Sequence, residues 1–374
     1  MTERLWTWET IVREKDMDSG SQLIQITSSC LISNNIYGEE PYNSSDGKRL
    51  VIIRTPSTNW RDYVCEFWVA DLEKNEIIRV DTGSSLFGTA NSAWGDYFYY
   101  LVDEGKTLRR FSLKSLDIEN IFHFTDCPIP NGSGSVSPDN RYYINLVYPP
   151  YFGILRVDMV AKKWRIIHQH PEIFNPHAMF DRSIGEQILI QHNRGGKTDK
   201  DGRVICWIGP QGCTLYLIDK DGKSVQQLPV GPPYTADCTG HECFVGDTGK
   251  ILFSTFLDSN SRGSLYIAGP GDQKPRLVTE NKIYFGHVSA SKCGKYFVVD
   301  GFKQAGTPIY LGNINTGKFR RLITSGASSG SPEYTHACPY MTADNKWVIL
   351  NSDRTGVPQV YAASVPEKFL ESLQ

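Results

Sequence analysis

A chain of 374 residues leaves room for two ordinary domains or one large repeat-built one, and its 40% apolar, 12% aromatic, Gly- and Pro-rich composition fits an ordered, strand-rich globular protein. The formal net charge of -2, with both signs interspersed, lacks the basic stripe that tracks a phosphate backbone and so excludes nucleic acid as an expected partner. No apolar run approaches the roughly 18 residues of a membrane-spanning helix, so no membrane partner is expected either.

The N-terminal segment MTERLWTWETIVREKDMD carries charges from its third residue and lacks the continuous apolar stretch of a signal peptide. The nine cysteines, an odd number, show neither CxxC spacing nor a compact framework, which suits reduced thiols. Both features predict a cytoplasmic protein.

Along the chain a short polar turn recurs, ending in Gly or Asn: SSDGK at 44–48, AWGD at 93–96, SPDNR at 137–141, SIGEQ at 183–187, GDTGK at 246–250, SKCGK at 291–295 and TADNK at 342–346. A β-branched and aromatic run follows each turn, as in RLVIIR, YYINLV, KILFST and KWVILN, and such runs favour strands over helices. Further strand–turn–strand patterns complete each unit, and successive turns lie roughly 45 to 50 residues apart except in a longer fourth unit, the spacing of a four-stranded blade. Seven turns predict an all-β, seven-bladed β-propeller with four-stranded antiparallel blades, a single domain over 1–374. The last unit stops one strand short after VYAASV, while GSQLIQITSS reads as an outermost strand with nothing before it. The N-terminal strand is therefore expected to close the last blade and remove an open edge.

Aligning the units on their turns places His177, His241, His287 and His336 seven to nine residues before the turn Gly or Asn of four consecutive blades. That position opens the innermost strand, so the four imidazoles are expected to converge at one mouth of the channel. Around His336 the chain reads Glu333-Tyr334-Thr335-His336-Ala337-Cys338. Alternation along an extended strand points His336 and Cys338 the same way, and with Glu333 and His287 they make a mixed N, O and S donor set suited to a borderline or soft divalent ion. His241 is the expected general base, since imidazole titrates near neutral pH. Arg194 and Arg203 bracket the glycine-rich stretch NRGGKTDKDGR, long enough to bend over the mouth, where a guanidinium could hold a carboxylate bidentately.

The second half, from about residue 177 to residue 366, resembles the oligogalacturonate lyases, a family of cytoplasmic seven-bladed propellers that cleave short pectin fragments. CTGHECFVGDTGKILFS resembles the segment holding the family's catalytic His, which falls on His241; FGHVSASKCGKYFVVDG resembles the segment with a metal-binding His, which falls on His287. YTHACPYMTADNKWVILNSDRTGVPQVYAASVPE resembles the C-terminal segment with a Gln followed by His-x-His, so that Glu333 replaces the Gln, His336 keeps the first His and Cys338 replaces the second. The family's catalytic Arg falls near Arg203. The N-terminal half matches in repeat pattern, NNIYGEEPYNSSDGKRL resembling the opening of the family's first blade, where Asn35 and Tyr37 are expected to bind substrate.

The resemblance implies β-elimination on an acidic oligosaccharide to give a 4,5-unsaturated uronate, with a divalent cation, Mn²⁺ in the family and Zn²⁺ or Ca²⁺ as other candidates. In this expectation His241 takes the C5 proton, Arg203 or the cation stabilises the developing enolate, and His177, Tyr148 or water protonates the leaving oxygen, with Arg194 also binding substrate. A related reading is a rhamnose-glucuronate or ulvan-type lyase using Tyr148, Tyr151 and Arg156. A non-catalytic binding propeller is the alternative from another class, since the fold alone specifies no function.

Overall fold

The structure is a computed structural model, described for residues 5–57, 64–84, 87–148, 153–200, 203–330 and 333–374. These residues form seven radial antiparallel sheets and a small two-stranded hairpin. Each blade runs outward from a short inner strand: in blade 1, Ile32–Asn34, Arg49–Thr55, Cys65–Asp71 and Glu76–Gly83; in blade 4, Met179–Phe180, Gln187–Asn193, Cys213–Asp219 and Val225–Gln227. The inner strands of blades 5, 6 and 7 are Cys238–Phe244, Phe285–Ala290 and Tyr340–Met341.

The repeated turn has a local cause. In blade 1 the Ser44 hydroxyl donates to Asp46 (2.6 Å) and accepts the Arg49 N–H (3.0 Å), while Gly47 takes a φ of 79°. Thr342, Asp344 and Asn345 build the same turn in blade 7, with the Thr342 hydroxyl donating to Asp344 at 2.7 Å and Asn345 at φ 59°. Gly47, Asn140, Gly185, Gly249, Gly294 and Asn345 hold the left-handed conformation that favours Gly or Asn, whereas in blade 2 Trp94 adopts it, with φ 52°.

The core lies between blades. Side chains alternate across a strand, so each blade feeds two separate layers. In Trp347–Ser352, Val348 and Leu350 pack toward blade 6 against Val298 and Leu311, whereas Ile349 packs toward blade 1 against Leu50 and Ile52. At about 1.5–3 kcal/mol per fully buried aliphatic side chain, these layers hold the ring together.

The closing strand is where the sequence placed it: Gln22–Gln25 pairs antiparallel with Gln359–Ser364, setting Leu23 opposite Ala363. A further strand, Ile11–Lys15, extends this sheet to five. The extra length of blade 4 forms a hairpin, Lys197–Thr198 with Val204–Cys206. No helix among the described residues is long and apolar enough to cross a membrane.

Candidate active site at the channel mouth

One end of the channel opens into a cavity of about 620 Å³ lined by His177, His241, His287 and His336, together with Tyr37, Tyr148, Glu39 and Cys338. The imidazoles thus converge, with ring centroids 4.3 Å apart for His241 and His287 and 5.3 Å apart for His287 and His336. Their placement follows from the radial inner strands, since equivalent positions on neighbouring blades meet at the axis.

Backbone geometry is unusual at this mouth. Ile36, His177 and Cys338 have φ values of 76°, 43° and 42°, a region that costs a non-glycine residue energy and clusters at functional sites. Gly38 explains how the segment from blade 1 gets in: a Cβ there would lie 2.6 Å from the Pro339 carbonyl oxygen and 2.9 Å from that of Cys338. Without a side chain the segment presses onto blade 7 and delivers Glu39 into the channel.

Glu39, only 2% exposed, is the hub of the site. One carboxylate oxygen accepts the Nδ1–H of His241 at 3.0 Å; the other forms an ion pair with Nδ1 of His177 at 3.3 Å. Glu242, fully buried, faces the same His177 nitrogen at 3.4 Å. Burial works against charge on Glu39, but His177 and His241 more than offset it and hold the carboxyl below its usual range. Burial likewise lowers the His177 imidazole, yet Glu39 and Glu242 reverse the direction and hold it well above the ordinary value. Glu242, the second acid on one imidazole, is pushed up by burial in spite of His177. The result is a buried carboxylate–imidazolium pair with an acid beside it.

His241 has the opposite character. Burial and the neighbouring His287 lower its pKa, against the pull of Glu39, so the ring is neutral near neutral pH. Glu39 fixes the hydrogen on Nδ1 and leaves Nε2 as the lone-pair nitrogen. The Tyr37 hydroxyl lies 3.0 Å from the same Nδ1 and adds a second polar contact on that edge of the ring.

His287 shows the arrangement of a metal ligand backed by a carboxylate. Its Nδ1 bonds Asp300 at 2.7 Å, its backbone N–H donates to the other oxygen of Asp300 at 3.0 Å, and the ring also hydrogen-bonds the Cys338 side chain. A Cβ on Gly286 would lie 2.4 Å from that carboxylate, so glycine is what lets Asp300 close in. Burial lowers the His287 imidazole, but Cys338 and Asp300 outweigh it and hold it well above its ordinary value. Because burial also pushes the Cys338 thiol up, Asp300 is the anion that matters. Imidazole backed by carboxylate, next to a buried thiol, is a donor chemistry that fits a borderline divalent ion. His336 contacts the Gly330 carbonyl through Nε2 at 2.9 Å. Glu333 begins the short 3-10 turn Glu333–Thr335, and its side chain lies outside the described residues.

Several expected residues lie elsewhere. Asn35 is fully buried and does not line the cavity: its amide donates to the Cys338 carbonyl at 2.9 Å and accepts from Asn351 at 2.8 Å, so it supports the Cys338 backbone. Arg194 turns back to the carbonyls of Gln211 and Gly212. Arg203 is exposed at the hairpin, its backbone N–H donating to Asp199 at 2.9 Å. Neither arginine lines the cavity; the hairpin instead contributes Trp207 and Ile208 to its wall. Arg156 is bound to Asp221 at 2.9 Å, away from the cavity, and Tyr151 lies outside the described residues.

The residues that the histidine pattern passed over are acids. Glu39 stands eight residues before Gly47, the interval that separates His177 from Gly185 and His241 from Gly249, so the register itself marked the position. Glu242 had no comparable signal: it adjoins His241, and a register shift between Cys238 and Glu242 redirects the strand there.

No family model matches the chain. It is 22% identical over 390 residues to an oligogalacturonate lyase of Dickeya dadantii, covering 94% of this chain and 95% of that one. An oligogalacturonide lyase of Pectobacterium atrosepticum is likewise 22% identical over 398 residues, with the same coverage of 94% and 95%. The chain is thus similar over nearly its whole length to oligogalacturonate lyases. The fold is shared as well: a solved structure of an oligogalacturonate lyase in complex with manganese superposes with a TM-score of 0.76 at 19% identity, over 98% of this chain and 99% of the other.

Proposed function

We propose that this protein is a lyase that cleaves uronate-containing oligosaccharides, of the oligogalacturonate type, by β-elimination. The observation that carries the reading is His241: a neutral imidazole, its Nδ1–H taken by Glu39, with Nε2 left as a base in an open cavity beside His287. His241 removes the C5 proton, and Glu39 stabilises the imidazolium that forms, as a buried carboxylate does for a base it orients. His177 lines the same cavity and keeps its proton near neutral pH, which suits donation to the departing glycosidic oxygen. Tyr37 and Tyr148 border the space where the sugar rings would lie.

Elimination next to a carboxylate requires that its charge be neutralised. With no arginine on the cavity wall among the described residues, that role falls to a divalent cation held by His287, His336, Cys338 and Glu333, which when bound supplies Lewis-acid neutralisation of the substrate carboxylate. Mn²⁺ accompanies a solved relative, whereas a thiol in the donor set favours a softer ion such as Zn²⁺. All nine cysteines are unpaired, which supports a reducing, cytoplasmic setting.

The test is incubation with a panel of oligogalacturonides, glucuronide oligomers and ulvan fragments while following the ultraviolet absorbance of a conjugated uronate. Absorbance that rises with cleavage supports elimination. Cleavage without it means hydrolysis, and no cleavage of any member overturns the assignment.

A further inference from the structure

A second group of metal-ligating side chains lies outside the channel cavity. His170, Glu172 and His192 present ligand atoms that all fall within 4.8 Å of one another, and each residue is half-buried. His170 and Glu172 come from the connection between blades 3 and 4; His192 lies near the end of the blade 4 strand Gln187–Asn193, where the chain leaves for the hairpin. The Glu172 carboxylate bonds Nε2 of His192 at 2.8 Å through one oxygen and accepts the Gly195 N–H at 2.8 Å through the other. The Glu172 carbonyl accepts the Asn193 N–H at 3.0 Å, and its own N–H donates to Nδ1 of His170 at 3.1 Å. The His170 and His192 rings stand edge to face with centroids 4.7 Å apart.

We propose that His170, Glu172 and His192 form a second divalent-metal site, for a borderline ion such as Zn²⁺, at the root of the hairpin that supplies Trp207 and Ile208 to the cavity wall. Two imidazoles and one carboxylate are a known three-ligand set for zinc that leaves the fourth position to water. A single carboxylate is too little oxygen for Ca²⁺ or Mg²⁺, which take mainly oxygen ligands. The metal takes the place of the proton between His192 and Glu172, which passes to solvent, as the two side chains rotate to admit the ion. Because Glu172 already grips the chain at Asn193 and Gly195, a bound ion fastens both ends of that grip and restrains the hairpin over the cavity.

Metal-stripped full-length protein titrated calorimetrically with ZnCl₂ tests this, comparing the wild type with a His170→Asn/His192→Asn variant and with Glu172→Gln, which keeps an acceptor for Gly195. The expected result is one zinc equivalent fewer in both variants, with unchanged circular dichroism. Equal stoichiometry in all three proteins overturns the site. If the double variant loses its fold, Glu172→Gln alone decides by the same count. Zinc is also expected to slow proteolysis within 195–211 in the wild type and not in the variants; one equivalent bound with no such protection overturns the restraint on the hairpin.

Discussion

Glu39 and His241 stand 202 positions apart in sequence and meet across the channel at 3.0 Å, the carboxylate of the first blade accepting the Nδ1–H of the fifth. This contact converts an imidazole among others into an oriented base, because the hydrogen on Nδ1 leaves Nε2 unprotonated on a ring that lines the cavity.

Removing the base tests that assignment first. His241→Ala is expected to lower kcat by about 10²–10⁴-fold, the usual contribution of a positioned general base. The unfolding midpoint in urea stays near the wild-type value, because one ring facing the open cavity contributes little packing. A comparable loss of stability and activity would make His241 a structural residue.

The pH profile should report the same group. A base must be neutral to act, and burial with His287 nearby lowers the His241 pKa, so kcat/KM is expected to hold as pH falls to about 6.5 and to drop only below it. Glu39→Gln removes the anion that partly supports the proton, so its acid limb moves to still lower pH while the maximal rate falls. A limb that stays in place in Glu39→Gln counts against the pairing.

His177 behaves differently because two buried acids face it. His177→Ala leaves Glu39 and Glu242 without their cation, and breaking a buried pair in this way costs about 3–5 kcal/mol, measurable by urea denaturation. The His177 pKa is raised on folding, so its contribution is complete below about 6.5 and is lost as pH rises through the folded-state value. The difference in Tm between wild type and His177→Ala should therefore shrink toward alkaline pH.

Asp300 holds His287 from behind without reaching the cavity. Asp300→Asn is expected to weaken divalent-metal retention by about 10–100-fold, as changes behind a metal-binding His do, and His287→Ala to abolish it at the channel. Metal content after dialysis against buffered Mn²⁺ or Zn²⁺ checks both. Equal content in wild type and His287→Ala removes His287 from the ligand set.

On the hairpin, Trp207 is 55% exposed yet lines the cavity and packs edge to face on Phe174, with centroids 5.6 Å apart. Trp207→Ala is expected to raise KM with little change in kcat, the pattern of lost uniform binding, while Arg203→Ala leaves both unchanged. The reverse order would return the carboxylate-binding role to Arg203.

The architecture was legible from the chain alone because a propeller repeats a local event. Each blade needs a polar turn ending in Gly or Asn and strands of period two, and both are properties of neighbouring residues. The axial register was legible too: the position eight residues before the turn holds Glu39, His177 and His241, and in blades 2 and 3 it holds Phe87 and Gly132, which also line the cavity. Reading only the histidines in that register missed Glu39. What the tertiary structure alone decided is which groups become partners. Glu39 reaches His241 and His177 because Gly38 packs on the Cys338–Pro339 backbone; Asn35 turns inward to that backbone, and Arg194 and Arg203 are carried away by the hairpin's own hydrogen bonds. The pairings of Glu39 and Asn35 join residues more than a hundred positions apart, and those at Glu39 set the proton affinities on which the chemistry rests.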